Sequence, residues 1–145
     1  MNIGNQYRRY PCTYDYGSSK VTDNSAGTGG ATGTIGLTSG KWYYEIKAAD
    51  SWTMYGFVDP AHESRINNNT HETVFTVTGY LGGSYVFIAD STSQRNDTSL
   101  SGLSHSSSSI YGVALDLDND EISFYKDGTA ATPTGVNIDG LAGQI

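Results

Sequence analysis

YGVALDLDNDEISFYKDG, from Tyr111 to Gly128, is the stretch on which the fold turns. Val113, Leu115 and Leu117 share one parity, as do Ile122, Phe124 and Lys126 after an acidic interruption. Asp116, Asp118, Ser123, Tyr125 and Asp127 take the opposite face. Period-two alternation on both sides of a short polar break predicts an antiparallel hairpin with one buried face. Val113, Leu115, Leu117, Ile122 and Phe124 are its expected core side chains. A second break, Asp127-Gly128, reads as a tight turn, because glycine accepts the positive φ such a turn needs.

The same stretch carries five acidic residues. Asp116, Asp118 and Asp120 make D-x-D-x-D, and Asp127 falls where a calcium loop places its last carboxylate. Against that reading, Glu121 stands at the position where the loop needs glycine, and strand patterns flank it rather than helices. The acidic residues are therefore read as a solvated turn, and no metal or cofactor is expected.

Composition supports a strand-built domain. Gly, Ser, Thr, Asn and Tyr dominate, while the strong helix formers are scarce. A chain of 145 residues is one domain or most of one, able to bury roughly 70% of its unfolded surface. A net charge of −7 leaves no basic face to release counterions from phosphates, which argues against nucleic acid. No polybasic patch or apolar run long enough to span a bilayer is present, so no membrane insertion is expected. MNIGNQYRRYPC has two arginines without an apolar core behind them, unlike a signal peptide. The single cysteine, Cys12, has no partner for an internal disulfide, which suits synthesis in a reducing cytoplasm. Eleven tyrosines against four phenylalanines suit either half-buried strands or an adaptable binding surface.

Along the chain, residues 1–19 read as an irregular segment, with aromatic anchors, that orders on docking. Residues 20–145 read as the folded domain. The glycine-rich GTGGATGTIG, from Gly27 to Gly36, is followed by Gly36-Leu37-Thr38-Ser39-Gly40-Lys41, which misses phosphate-loop spacing by one residue. Strands are expected over Lys41–Ala48, within Trp52–Val58, and over Thr73–Thr78 and Tyr85–Ala89. Ser91–Ser109 reads as a polar connection. No window shows a helical apolar period, so the expected class is all-β, a sandwich or barrel of short strands.

Candidates for catalysis are thin. His62, His71 and His105 sit apart in predicted loops, without zinc spacing. Ser104-His105-Ser106 is not a nucleophile elbow. Glu45, Glu63, Glu72 and Glu121 cannot be paired across a cleft from sequence. The chain is read as a non-enzyme.

Two stretches carry a family likeness. TSGKWYYEIKA (Thr38–Ala48) and YGVALDLDNDEISFYKDG resemble the two most recognisable strands of SPRY domains, in the same order and at a fitting separation. VTDNSAGTGGATGTIGLTSGKWYYEI is similar to the version found in bacteriophage tail and virion proteins, and SWTMYGF (Ser51–Phe57) matches the glycine-containing strand that follows. The resemblance covers Lys20–Ile145. It implies a concanavalin-like sandwich of two antiparallel sheets. Asp120 departs from it where the family usually has a turn glycine, and Ser108-Ser109 stands for the usual Gly-Asp. Family members also continue past the position of GLAGQI into a further strand, so a missing strand, or one supplied by a neighbouring subunit, is expected.

The resemblance further implies non-catalytic binding through loops at one end of the sandwich. The first expectation is a tail-fibre or receptor-binding protein of a virion, made in the host cytoplasm. Its partners would be other virion proteins and a host surface glycan or protein, and it would be a homo-oligomer. Trp52, Tyr55, Tyr80 and Tyr85 are the candidate ligand-binding aromatics, each of which could equally pack in the core. A capsid-decoration or tail-assembly subunit is the second expectation, and a cellular SPRY peptide-binding adaptor the third.

Overall fold

The computed structural model describes residues 12–15, 20–23, 36–48, 53, 55–58, 74–78, 84–89 and 94–138. These residues form strands and turns, and none of them is helical. The strands are β1 (Cys12–Asp15), β2 (Lys20–Asp23), β3 (Lys41–Ile46), β4 (Tyr55–Val58), β5 (Val74–Thr78) and β6 (Ser84–Ala89). They continue with β7 (Gln94–Leu100), β8 (Tyr111–Asp116), β9 (Glu121–Lys126), β10 (Thr129–Ala130) and β11 (Val136–Asn137).

All pairings are antiparallel. β1 pairs β2, the order β4-β5-β6-β7 makes a second sheet, and β3-β8-β9 makes the third. Both β10 and β11 lie on β9. The quoted stretch is the centre of this third sheet. Asp116 pairs Glu121 across the first turn and Tyr111 pairs Lys126 at the other end. The all-β expectation therefore holds for the described residues.

Two segments differ from the sequence expectation. Cys12–Asp15, inside a segment read as irregular, is a strand paired with β2. Gln94–Leu100, inside the expected polar connection, is β7, paired with β6. The first is only four residues long and the second is polar up to Leu100, so neither offers an apolar alternation long enough to flag a strand. Their strand state comes from backbone pairing, which needs no apolar side chain. β7 also carries an extra residue, since Val86 faces Thr98 while Phe87 faces Asn96.

The turns explain themselves residue by residue. Asp127 (φ 49°) and Gly128 (φ 78°) form the two-residue loop between β9 and β10. Positive φ at both central positions is what strand twist demands there. The β8–β9 turn, 117–120, closes on Asp120 at φ 56°, a left-handed conformation that glycine adopts most easily. Asp120 also keeps a buried Oδ1 without a hydrogen-bond partner. Asp120→Gly removes both penalties and is expected to raise stability by up to about 1 kcal/mol, read as the urea midpoint.

One face of this sheet is the core. Val113, Leu115, Ile122, Phe124 and Tyr111 are all buried, with Ile138 beside them. β4 covers that face. Tyr44 stacks edge-on to Phe57 at 5.4 Å, and its hydroxyl donates to the Gly56 carbonyl at 2.8 Å. Burial pushes the Tyr44 phenol up, and the Tyr55 phenol likewise. Trp42 shares the inward parity of Leu115 but is 43% exposed at the sheet edge, its indole donating to the Ser39 carbonyl at 2.8 Å.

The serine-rich loop before β8 is tied down rather than loose. The buried Tyr111 hydroxyl accepts the Ser106 N–H at 2.7 Å and donates to the Ser104 carbonyl at 3.2 Å. Lys126 Nζ donates to the same carbonyl at 2.7 Å. Asp127 Oδ1 accepts the Ile110 N–H at 2.9 Å. That bond first, and the Ser109 hydroxyl second, hold the Asp127 carboxyl below the usual carboxylate range. A depressed pKa contributes stability above the unfolded value of about 3.9 and loses it as pH falls through the folded one. The stability gap between the parent and Asp127→Asn is thus expected to narrow as pH drops below about 4. Urea midpoints taken at a series of pH values check this.

Candidate functional site

The other face of the same sheet is built from the polar parity. Residues directly opposite on neighbouring strands share a face. Across β3, β8 and β9 the rows are Lys41–Asp116–Glu121, Tyr43–Ala114–Ser123 and Glu45–Gly112–Tyr125. The middle strand thus contributes its two smallest side chains between two tyrosines. A groove of about 330 Å³ runs over Ala114, with the tyrosines at its walls and the charged row at its end.

The tyrosine rings meet edge to face, 6.1 Å apart at 77°. Tyr43 leans over Gly112, where a Cβ would collide with the phenol oxygen. Its hydroxyl donates to Glu45 Oε1 at 3.0 Å, and Tyr43 is 55% exposed. Desolvation first, then Glu45, push its pKa up. An exposed aromatic held in place by a small neighbour is a pre-set contact surface, with little rotamer entropy left to lose.

The charged row is fixed from beneath. Lys41 Nζ meets Asp116 Oδ2 at 2.7 Å. Asp116 also accepts the Asn119 side-chain amide at 2.8 Å and the backbone N–H groups of Asp118 and Asn119 at 3.2 Å. The Lys41 bond first, then Asn119, keep the Asp116 carboxyl below its ordinary range, and Asp116 in turn raises the Lys41 ammonium. Exposed pairs add little stability, so this one matters as geometry. Asp118 does not share it. Its Oδ1 accepts the Gly40 N–H at 2.8 Å, which joins the β8–β9 turn to the bend before β3. Among the described residues no three His, Cys, Asp or Glu side chains converge as a metal ligand set.

Of the aromatics singled out in the sequence, Tyr55 lies against the core, 5.6 Å from Tyr111 and 6.4 Å from Phe124 by ring centroids. Tyr85 is in β6, opposite Thr78 and Ser99. Trp52 and Tyr80 lie outside the described residues, as do His62 and His71. His105 is half-buried in the serine loop, and its Nε2 has no hydrogen-bond partner.

No protein-family model matches the chain, and no curated protein sequence matches it.

The groove residues that sequence reasoning passed over are Tyr43, Ala114, Ser123 and Tyr125, while Glu121 was weighed only as a catalytic carboxylate. The signal was present in the alternation. A hairpin whose outward parity carries Gly and Ala beside Tyr and Ser has a floor and walls on that side. Reading the hairpin as frame alone hid it.

Proposed function

We propose that the chain is a non-catalytic recognition module of a bacteriophage virion, built as a SPRY-like two-sheet sandwich, that seats a host surface glycan on the outer face of its β3-β8-β9 sheet. The observation that carries this reading is the groove itself, with exposed Tyr43 and half-buried Tyr125 as walls over an Ala114 floor and a charged row at one end. The sandwich part is supported by the ring contacts from β4 onto β3, β8 and β9. The virion part is supported by the sequence resemblance of residues 20–48.

A shallow seat of this kind holds a sugar at roughly the millimolar level, about −4 kcal/mol. Many copies on one particle raise that by a factor on the order of 10²–10⁴. Recombinant protein displayed multivalently on a glycan array is expected to give reproducible hits. Tyr43→Ala and Tyr125→Ala abolish them while the protein stays folded. Gly112→Ala, which pushes Tyr43 aside, weakens them. A folded protein that binds nothing contradicts the reading.

Exposed Trp42 on the edge strand β3 favours a second reading, a structural subunit whose partner is another virion protein. A Trp42→Glu substitution that splits an oligomer in light scattering would select it.

A further inference from the structure

We infer, on the basis of the groove reading above, that the sugar is uncharged and presents a vicinal diol, and that Glu121 is the residue that takes it. The inference comes from which polar groups in the groove are already committed. Asp116 accepts four hydrogen bonds, from Lys41, Asn119 twice and Asp118. It has little left for a ligand. Lys41 is held against it. Ser123 Oγ accepts the Gly135 N–H at 2.8 Å and keeps its own proton to donate. No groove side chain hydrogen-bonds to the Glu121 carboxylate, and that carboxylate leans across the Cα of Gly135.

An ionised carboxylate is acceptor-only and receives two parallel donors well. Two adjacent sugar hydroxyls supply that pair. Glu121, Ser123 and Tyr125 follow one another on one face of β9, so the diol, a return donor and a ring for the sugar's C–H face lie in line. The charges point the same way. Lys41 and Asp116 cancel, which leaves Glu121 and nearby Glu45 in a chain of net charge −7. A carboxylated or sulfated sugar would meet Glu121 as a like charge.

The test compares neutral, free-amine and acidic glycans on one multivalent array, before and after mild periodate, which cleaves vicinal diols. The parent, Glu121→Gln and Tyr125→Ala proteins are each shown to be folded by thermal melting. The expected result is binding confined to neutral glycans, lost after periodate, and weakened at least about tenfold by Glu121→Gln. Binding confined to acidic or amine-bearing glycans, or surviving periodate, yet lost in Tyr125→Ala, overturns the diol and leaves the groove standing. A blank array, or hits that Tyr125→Ala does not change, overturns both.

Discussion

Phe124→Ala is expected to lower the unfolding free energy by about 3–5 kcal/mol. Phe124 is buried at the middle of β9, opposite Val113, with the Tyr55 ring 6.4 Å away. Truncation removes the ring's transfer energy and leaves a cavity beside the Tyr55 ring that cannot close without moving β4. Leu115→Ala, two pairs along toward the turn on the same face, is expected to cost about 2–5 kcal/mol for the same reason. Losses of this size are a large part of the roughly 5–15 kcal/mol that holds a domain together. For Phe124→Ala they correspond to a fall in melting temperature of roughly 10–20 °C. A loss below about 1 kcal/mol would mean that the ring is not packed between these strands.

Tyr111→Phe is the second large effect, and it is purely polar. The ring stays, so packing against Tyr55 is kept. What goes is a hydroxyl that accepts the Ser106 N–H at 2.7 Å and donates to the Ser104 carbonyl at 3.2 Å. The Ser106 N–H then loses its partner in a part-buried place, while the Ser104 carbonyl keeps Lys126 Nζ at 2.7 Å, so the cost is about 1–3 kcal/mol. The loss should be local before it is global. Amide exchange at Ser106 should speed up well ahead of exchange in β8 and β9. Uniform acceleration across the sheet would instead place Tyr111 in the cooperative core alone.

The two faces of the central hairpin were legible to different degrees. Val113, Leu115, Ile122 and Phe124 alternate cleanly, and burial of apolar area fixes their side. Asp127-Gly128 was legible because only a few residues tolerate positive φ at both turn positions. β7 was not, since a strand that runs Gln, Arg, Asn, Asp, Thr and Ser before its one apolar residue, Leu100, is held by its neighbour's backbone and leaves no alternation in hydropathy. The groove was half legible. Tyr43 and Tyr125 could be placed on the outward parity, but their meeting over Gly112 depends on the register of β3 against β8, which no local pattern specifies. Tyr55 was ambiguous for the opposite reason, because a strand tyrosine serves either face until its neighbours are known.

The central claim is that one hairpin carries a core on one face and a ligand seat on the other. Tyr125→Ala, adjacent to Phe124 in sequence and opposite to it in facing, tests that most directly. Its equilibrium unfolding should lie within about 1.5 kcal/mol of the parent, the worth of an edge-to-face pair, while binding on the array disappears. A loss of stability as large as that of Phe124→Ala would contradict the account, because Tyr125 would then be a core residue and the groove would have no second wall.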